Sequence, residues 1–353
     1  MKKIRIVVVD DSAFSRRSIT KMLQEIESIE VVGYATNGEE GIQAVIAHKP
    51  DLVTLDLEMP KMDGFTLLRI LTTRFSLPVI VISALSGADK VFRALELGAL
   101  DFVAKPGGPA SVDLLSIKDD LQRKILQIVS VKPKQSSIIN APKSDVMDDV
   151  PLFNPAASGV NRSIDIVAIG ASTGGPPALQ QIFSDFKYKY QFAVVVSQHM
   201  PSGFTKAFAE RLDKHSRFEI KEAEDGDAVA PGRILIAPGG KNMVFEEHGV
   251  QVVARIVEPT SADRYIPSVD VMFESCAGIY KKRVAAVVLT GMGNDGSKGI
   301  RHIKEQGGYV IAESEESSVV FGMPREAVAT GLVDRVVPLH RVASEIISHG
   351  GFV

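Results

Sequence analysis

A single cysteine in 353 residues, Cys276, excludes an intramolecular disulfide and argues against a cysteine-based metal site. Its setting, Val271-Met272-Phe273-Glu274-Ser275-Cys276-Ala277, reads as a buried part of a helix. Long apolar runs are missing too. No stretch approaches the roughly 20 residues that a membrane-spanning helix needs. Met1-Lys2-Lys3 leads straight into a short strand-like segment, where a signal peptide would carry its apolar core. The expectation is a cytoplasmic protein that is not membrane-inserted. Basic residues are not in excess either: the net charge is -3, which argues against nucleic acid as a partner. What is present, 45% hydrophobic and 24% charged residues, is the composition of a folded globular protein. At 353 residues the chain exceeds one core of ordinary size, so two domains are expected.

From Ile4 to about Val129, short β-branched runs alternate with helical patterns. The runs are Ile4 to Val9, Val31 to Ala35, Leu52 to Leu55, Val79 to Ile82 and Asp101 to Val103. Between them, Ser15 to Ile26 and Phe65 to Leu71 carry apolar residues at three- and four-residue spacing. Strands alternating with helices predict a parallel sheet covered on both faces.

Ligands of such sheets bind at the carboxyl ends of strands. That edge is acidic here: Asp10 and Asp11 follow the first run and Asp56 the third. Carboxylates converging from separate strands repel unless a hard cation sits among them, and Mg2+ is the natural occupant. The plain alternative is that Asp10 or Asp11 caps the next helix. Ser83 ends the fourth run and Lys105 follows the fifth, which adds a hydroxyl and an ammonium to the same edge. Together these groups suit a phosphoryl site in which Asp56 is the acceptor.

The stretches Val9-Asp10-Asp11-Ser12, Leu55-Asp56-Leu57-Glu58-Met59-Pro60-Lys61-Met62-Asp63-Gly64 and Lys105-Pro106 closely resemble the receiver domain of two-component response regulators. The resemblance covers roughly the first 125 residues. It implies a flavodoxin-like fold, phosphorylation of Asp56 by a histidine kinase phosphodonor, and Mg2+ held by Asp11, Asp56 and the Glu58 carbonyl, with Asp10 acting through water. Ser83, Phe102 and Lys105 fall on the switch positions. Phe102 has no hydroxyl, so rotamer packing alone must serve there.

After Val129 the periodicity stops. Lys132-Pro133-Lys134, Pro142, Pro151 and Pro155 lie in a polar tract that reads as a linker. A flexible tract of about 30 residues spans about 30 Å on average, enough for one domain to cover and uncover the other.

Beyond it, strands and helices alternate again: Ile164 to Ile169, Phe192 to Val196, Ile234 to Ala237, Val284 to Leu289, Tyr309 to Ile311 and Val333 to Val337. Met243 to Val257, with Glu247-His248-Gly249 at its middle, predicts an antiparallel hairpin. The whole chain is therefore expected to be α/β, with two doubly wound, mostly parallel sheets and one hairpin in the second.

The turn Gly170-Ala171-Ser172-Thr173-Gly174-Gly175-Pro176 lies between a buried strand and a helix opening at Pro177. Gly170-x-Ser172-x-Gly174 matches the sharp turn that exposes a serine nucleophile where a helix N-terminus favours negative charge. A phosphate or dinucleotide loop, or a plain N-cap serine, would read similarly. Two more strand ends repeat the arrangement. Phe192 to Val196 leads into His199, and Val284 to Thr290 leads into Asp295. On one edge, Ser172, His199 and Asp295 would be nucleophile, general base and the carboxylate that orients the imidazole. For His199 the alternative is a packing histidine, and for Asp295 a helix cap. The order Ser, His, Asp decides against an ordinary α/β-hydrolase, where the histidine comes last.

These motifs, with Gln198-His199-Met200-Pro201, Pro267-Ser268-Val269-Asp270, Leu289-Thr290-Gly291-Met292-Gly293-Asn294-Asp295-Gly296 and Ser318-Val319-Val320-Phe321-Gly322-Met323-Pro324-Arg325, closely resemble the chemotaxis protein-glutamate methylesterases. The resemblance implies a receiver at 1–128, a linker at 129–162 and a catalytic domain at 163–353. It implies catalysis by Ser172, His199 and Asp295, with oxyanion donors at the Thr173 and Met292 N–H groups and no cofactor for hydrolysis. The implied substrate is the methylated cytoplasmic domain of a chemoreceptor, possible glutamine deamidation is implied for some members, and the receiver is expected to inhibit until Asp56 is phosphorylated. Two other readings stay open: a non-enzymatic response regulator whose second domain binds a partner, and a dinucleotide-dependent enzyme, which the lack of full G-x-G-x-x-G spacing disfavours.

Overall fold

The computed structural model describes residues 3–84, 87–105, 117–130, 164–188 and 190–350. The expected linker lies outside the described residues from position 131 onward, and its first positions, Val129 and Ser130, end a helix.

The first domain alternates β1 (Ile4–Val9), α1 (Ala13–Gln24), β2 (Ile29–Ala35), α2 (Gly38–His48), β3 (Leu52–Leu55), α3 (Gly64–Arg74), β4 (Val79–Ala84), α4 (Ala88–Glu96), β5 (Asp101–Lys105) and α5 (Lys118–Ser130). The strands form a parallel sheet in the order β2-β1-β3-β4-β5, the flavodoxin-like order. Its central strands are buried on both faces, so they read in sequence as unbroken apolar runs. The cap of α1 is Ser12, whose hydroxyl accepts the Ser15 N–H at 3.3 Å. Asp10 and Asp11 therefore do not serve as that cap.

The second domain comprises β6 (Ile166–Ala171), α6 (Gly175–Asp185), β7 (Ala193–Gln198), α7 (Phe204–Asp213), β8 (Glu219–Glu222), β9 (Arg233–Ile236), β10 (Asn242–His248), β11 (Gln251–Val257), α8 (Val269–Tyr280), β12 (Val284–Val288), α9 (Gly299–Glu305), β13 (Tyr309–Glu313), α10 (Met323–Ala329), β14 (Arg335–Val337) and α11 (Leu339–His349). Seven parallel strands run in the order β14-β13-β12-β6-β7-β9-β8. The hairpin β10-β11 is present but forms a separate two-stranded sheet, packed on α8. Strand β8, Glu-Ile-Lys-Glu, escapes the sequence reading because an edge strand with one buried residue carries no apolar run. Cys276 is fully buried in α8, as expected.

The two domains share a continuous apolar core. Phe92 of α4 stacks on Phe208 of α7 with centroids 5.3 Å apart, and Phe102 of β5 meets Phe204 of α7 at 4.7 Å. Buried aromatic pairs of this kind contribute about 0.5–1.5 kcal/mol beyond their area. Arg211 of α7 reaches Glu96 of α4 at 2.5 Å at the rim.

Candidate active site

In the second sheet the strand order reverses between β6 and β12, the switch point at which an open parallel sheet leaves a crevice at its carboxyl edge. Ser172 follows β6 there. The cap position of α6 is Gly174, so Ser172 is not a helix cap. Its N–H donates to the Thr290 carbonyl at 3.1 Å, and its own carbonyl accepts from Gly175 N–H at 2.8 Å and from Gln198 Nε2 at 2.9 Å. A Cβ on Gly291 would lie 2.7 Å from the Ser172 Cβ, so the loop after β12 can pass this close to the serine only with glycine at that position. That approach brings the Met292 backbone to the Ser172 turn.

His199 emerges from β7, the other neighbour of β6, and its Nε2 lies 2.8 Å from Asp295 Oδ2. Asp295 is nearly inaccessible and accepts four further hydrogen bonds. The N–H of Val269 reaches Oδ2 at 2.7 Å, while those of Asp270 at 2.9 Å and Gly296 at 3.1 Å, with the Ser268 hydroxyl at 3.3 Å, reach Oδ1. Burial alone would push this carboxyl up, but His199 and the N–H groups of Val269 and Asp270 outweigh it and hold it below the ordinary carboxylate range. Asp295 does act as a helix cap, for α8 and not for the helix that follows it. Asp270 returns the arrangement: its Oδ1 accepts the N–H groups of Gly296, Lys298 and Gly299 at 2.7–3.0 Å, at the start of α9. Burial, with the neighbouring Asp295 charge, raises the Asp270 carboxyl.

One residue of this site has no motif to announce it. The Tyr265 ring lies parallel to the His199 imidazole, 5.1 Å between centroids and 2° between planes. A Cβ on Gly293 would collide with the Tyr265 hydroxyl. Ser172, His199, Tyr265 and Met292 line a cavity of about 350 Å3. Its opposite wall comes from the first domain, through Asp120, Arg123 and Lys124 of α5. The contact reaches the Ser172 turn itself, because the Thr173 hydroxyl donates to Asp101 Oδ2. Asp101 also accepts the buried Lys124 ammonium at 3.0 Å and the Phe102 N–H at 2.7 Å.

At the edge of the first sheet, Asp10, Asp11 and Asp56 each bring one carboxylate oxygen within 4.8 Å of the others. Lys105 Nζ bridges Asp10 at 2.9 Å and Asp56 at 2.5 Å. Burial raises the Asp10 carboxyl against the pull of Lys105, and it would lower Lys105, which the two carboxylates raise instead. A cluster of all-oxygen donors with surplus negative charge fits a hard divalent cation. The Glu58 side chain turns away to pair with Lys90, which leaves its main-chain carbonyl as the possible ligand. Ser83 and Phe102 are both buried beside this edge.

The CheB methylesterase family profile matches residues 167–346, and the response regulator receiver domain profile matches residues 6–114. Protein-glutamate methylesterase/protein-glutamine glutaminase 3 of Geobacter sulfurreducens is 54% identical over 370 residues, covering 100% of this chain and 99% of that protein. A protein of the same description from Myxococcus xanthus, number 1, is 45% identical over 95% of this chain and 94% of its own. The crystal structure of the Thermotoga maritima CheB methylesterase catalytic domain is similar with a TM-score of 0.51 and 42% identity, covering 52% of this chain and 97% of that one. With a profile spanning half the chain and full-length relatives well above 30% identity, the chain belongs to the CheB methylesterase family, with a response regulator receiver domain in the same polypeptide.

Proposed function

We propose that this chain is a cytoplasmic, phosphorylation-activated hydrolase that removes methyl esters from glutamate side chains of chemoreceptors. The observation that carries the reading is the Asp295-bound His199 beside Ser172 at the switch point of the catalytic sheet. With Nε2 engaged by Asp295, Nδ1 is the basic nitrogen. Ser172 Oγ attacks the ester carbonyl carbon while His199 takes its proton, and the N–H groups of Thr173 and Met292 stabilise the oxyanion. Collapse breaks the bond to the methoxy oxygen, which leaves as methanol with the proton from His199. Water, deprotonated by His199, then releases the glutamate and restores Ser172. A glutamine amide would follow the same course with ammonia leaving, and the glutaminase part of the relatives' names supports that second substrate.

In the receiver, Asp10, Asp11, Asp56 and the Glu58 carbonyl would hold Mg2+, which supplies neutralising charge for an incoming phosphoryl group. Asp56 accepts that group from a histidine kinase, and Lys105 and Ser83 bind its oxygens. At rest the receiver inhibits, since α5 walls the cavity and Asp101 holds Thr173. Moving such an equilibrium from 1:99 to 99:1 takes about 5.5 kcal/mol, more than a few remodelled contacts supply, so opening is incomplete.

Methanol release from methylated receptor membranes tests the whole reading. A fragment of residues 161–353 is expected to outpace the unphosphorylated full chain; the separate Thermotoga catalytic domain shows that such a unit folds alone in a relative. Asp56→Asn, or a chelator, is expected to remove the response to a small phosphodonor. A fragment no faster than the resting chain would leave direct activation as the mechanism. Gly293→Ala is expected to displace Tyr265 from His199 and lower kcat by about 10- to 100-fold, the scale of a 1 Å misplacement. Unchanged turnover in that variant would remove Tyr265 from any role in holding the imidazole.

A further inference from the structure

Glu313 ends β13 and is completely buried. Among the described residues of the catalytic domain, it and Asp295 are the two carboxylates buried to this degree. Asp295 has a catalytic assignment; Glu313 has none. Its Oε2 accepts the Thr290 N–H at 2.7 Å, and its Oε1 accepts the Ser317 hydroxyl at 2.9 Å. The Ser317 oxygen in turn accepts the Leu339 N–H at 2.9 Å, at the start of α11. Thr290 is the residue on which the nucleophile turn rests. Its carbonyl takes the Ser172 N–H at 3.1 Å, and its hydroxyl donates to the Thr173 carbonyl at 2.9 Å while accepting the Val320 N–H at 3.0 Å.

We infer that Glu313 is a positioning residue for hydrolysis: as a hydrogen-bond acceptor it fixes the Thr290-Gly291-Met292 loop, and through Thr290 the turn that carries Ser172. The role belongs to the acceptor oxygen and not to the charge. Burial raises this carboxyl to about 7, against the pull of the Thr290 N–H and the Ser317 hydroxyl. Both protonation states keep the bond to Thr290. In the neutral form Oε1–H donates to Ser317, whose own proton turns to the Ser314 carbonyl, 3.5 Å away. A glutamine would reproduce that neutral pattern atom for atom, with Oε1 accepting from Thr290 and Nε2 donating to Ser317.

The inference rests on the serine mechanism proposed above, so the test includes Ser172→Ala. Full-length variants are assayed for methanol release with phosphodonor present, and kcat is counted per serine titrated by a fluorophosphonate. Glu313→Ala is expected to lower kcat by about 10- to 100-fold with KM little changed, and Glu313→Gln to stay within about threefold of the parent chain. Ser317→Ala, which frees one carboxylate oxygen, is expected to fall between them and decides the matter if Glu313→Ala does not fold. A wild-type kcat per titrated serine in Glu313→Ala, or in Ser317→Ala where that variant decides, would overturn the inference, as would a Glu313→Gln variant as damaged as the alanine. Turnover surviving in Ser172→Ala would instead bring down the serine mechanism itself.

Discussion

Alanine at position 172 is expected to abolish methanol release, with a loss on the scale of the roughly 10⁶-fold seen when a serine hydrolase loses its nucleophile. In the proposed mechanism the hydroxyl oxygen is the atom that becomes bonded to the substrate carbon, and no neighbouring group replaces it in that bond. The fold should survive. Ser172 contributes main-chain hydrogen bonds to Thr290, Gly175 and Gln198, all of which alanine keeps, and the cap of α6 is Gly174. Circular dichroism and the melting temperature are therefore expected to match the parent chain. A variant that is folded and still turns over ester near the parent rate would remove Ser172 from the mechanism, and would revive the reading of the second domain as a binding module.

Asp295→Asn is expected to cost about 10⁴ in kcat, the size of the corresponding change in serine proteases, because an amide favours the wrong imidazole tautomer. Here the substitution should also weaken the fold. Both Asp295 oxygens face donors, namely His199 and Val269 on one side and Asp270, Gly296 and Ser268 on the other. Whichever way the asparagine turns, its NH2 meets backbone N–H groups, and an unsatisfied buried donor costs about 1–3 kcal/mol. The carboxyl is held below its ordinary value in the folded chain. Its contribution is therefore present above the unfolded value, near 4, and is lost as pH falls through the lower folded value. The gap in melting temperature between parent and variant should accordingly narrow in acid. Equal turnover in the two proteins would make Asp295 a cap and nothing more.

Most of the architecture was legible because parallel strands buried on both faces leave unbroken apolar runs, as in β6 and β7, and because function collects at their carboxyl ends. Ser172, His199 and Asp295 could be singled out by that rule together with their motifs. Other features leave no local trace. Tyr265 lies in an irregular stretch between β11 and α8, and only the folded chain lays its ring on His199. Glu313 reads in sequence as one more acid after a short strand, and its partner Thr290 is 23 residues away. Asp101 and Thr173 are 72 residues apart and belong to different domains, so periodicity within either domain says nothing of their meeting. Asp295 is subtler: in the sequence, catalytic carboxylate and helix cap are alternatives, whereas in the fold one side chain can take both tasks by facing a helix of its own domain from outside.

Thr173 belongs to two economies at once. Its hydroxyl meets the receiver, through Asp101, and its main chain belongs to the turn that carries Ser172. A change of this side chain keeps the main-chain bond to Thr290 but alters a buried position next to Ser172. The receiver side is free of that constraint. Asp101 and the aromatic faces of Phe92 and Phe102 touch the catalytic domain, and Lys124 supports Asp101, without belonging to the Ser172, His199 and Asp295 set. Inherited differences in resting rate among related chains should therefore accumulate in α4, β5 and α5, while the serine turn stays as it is.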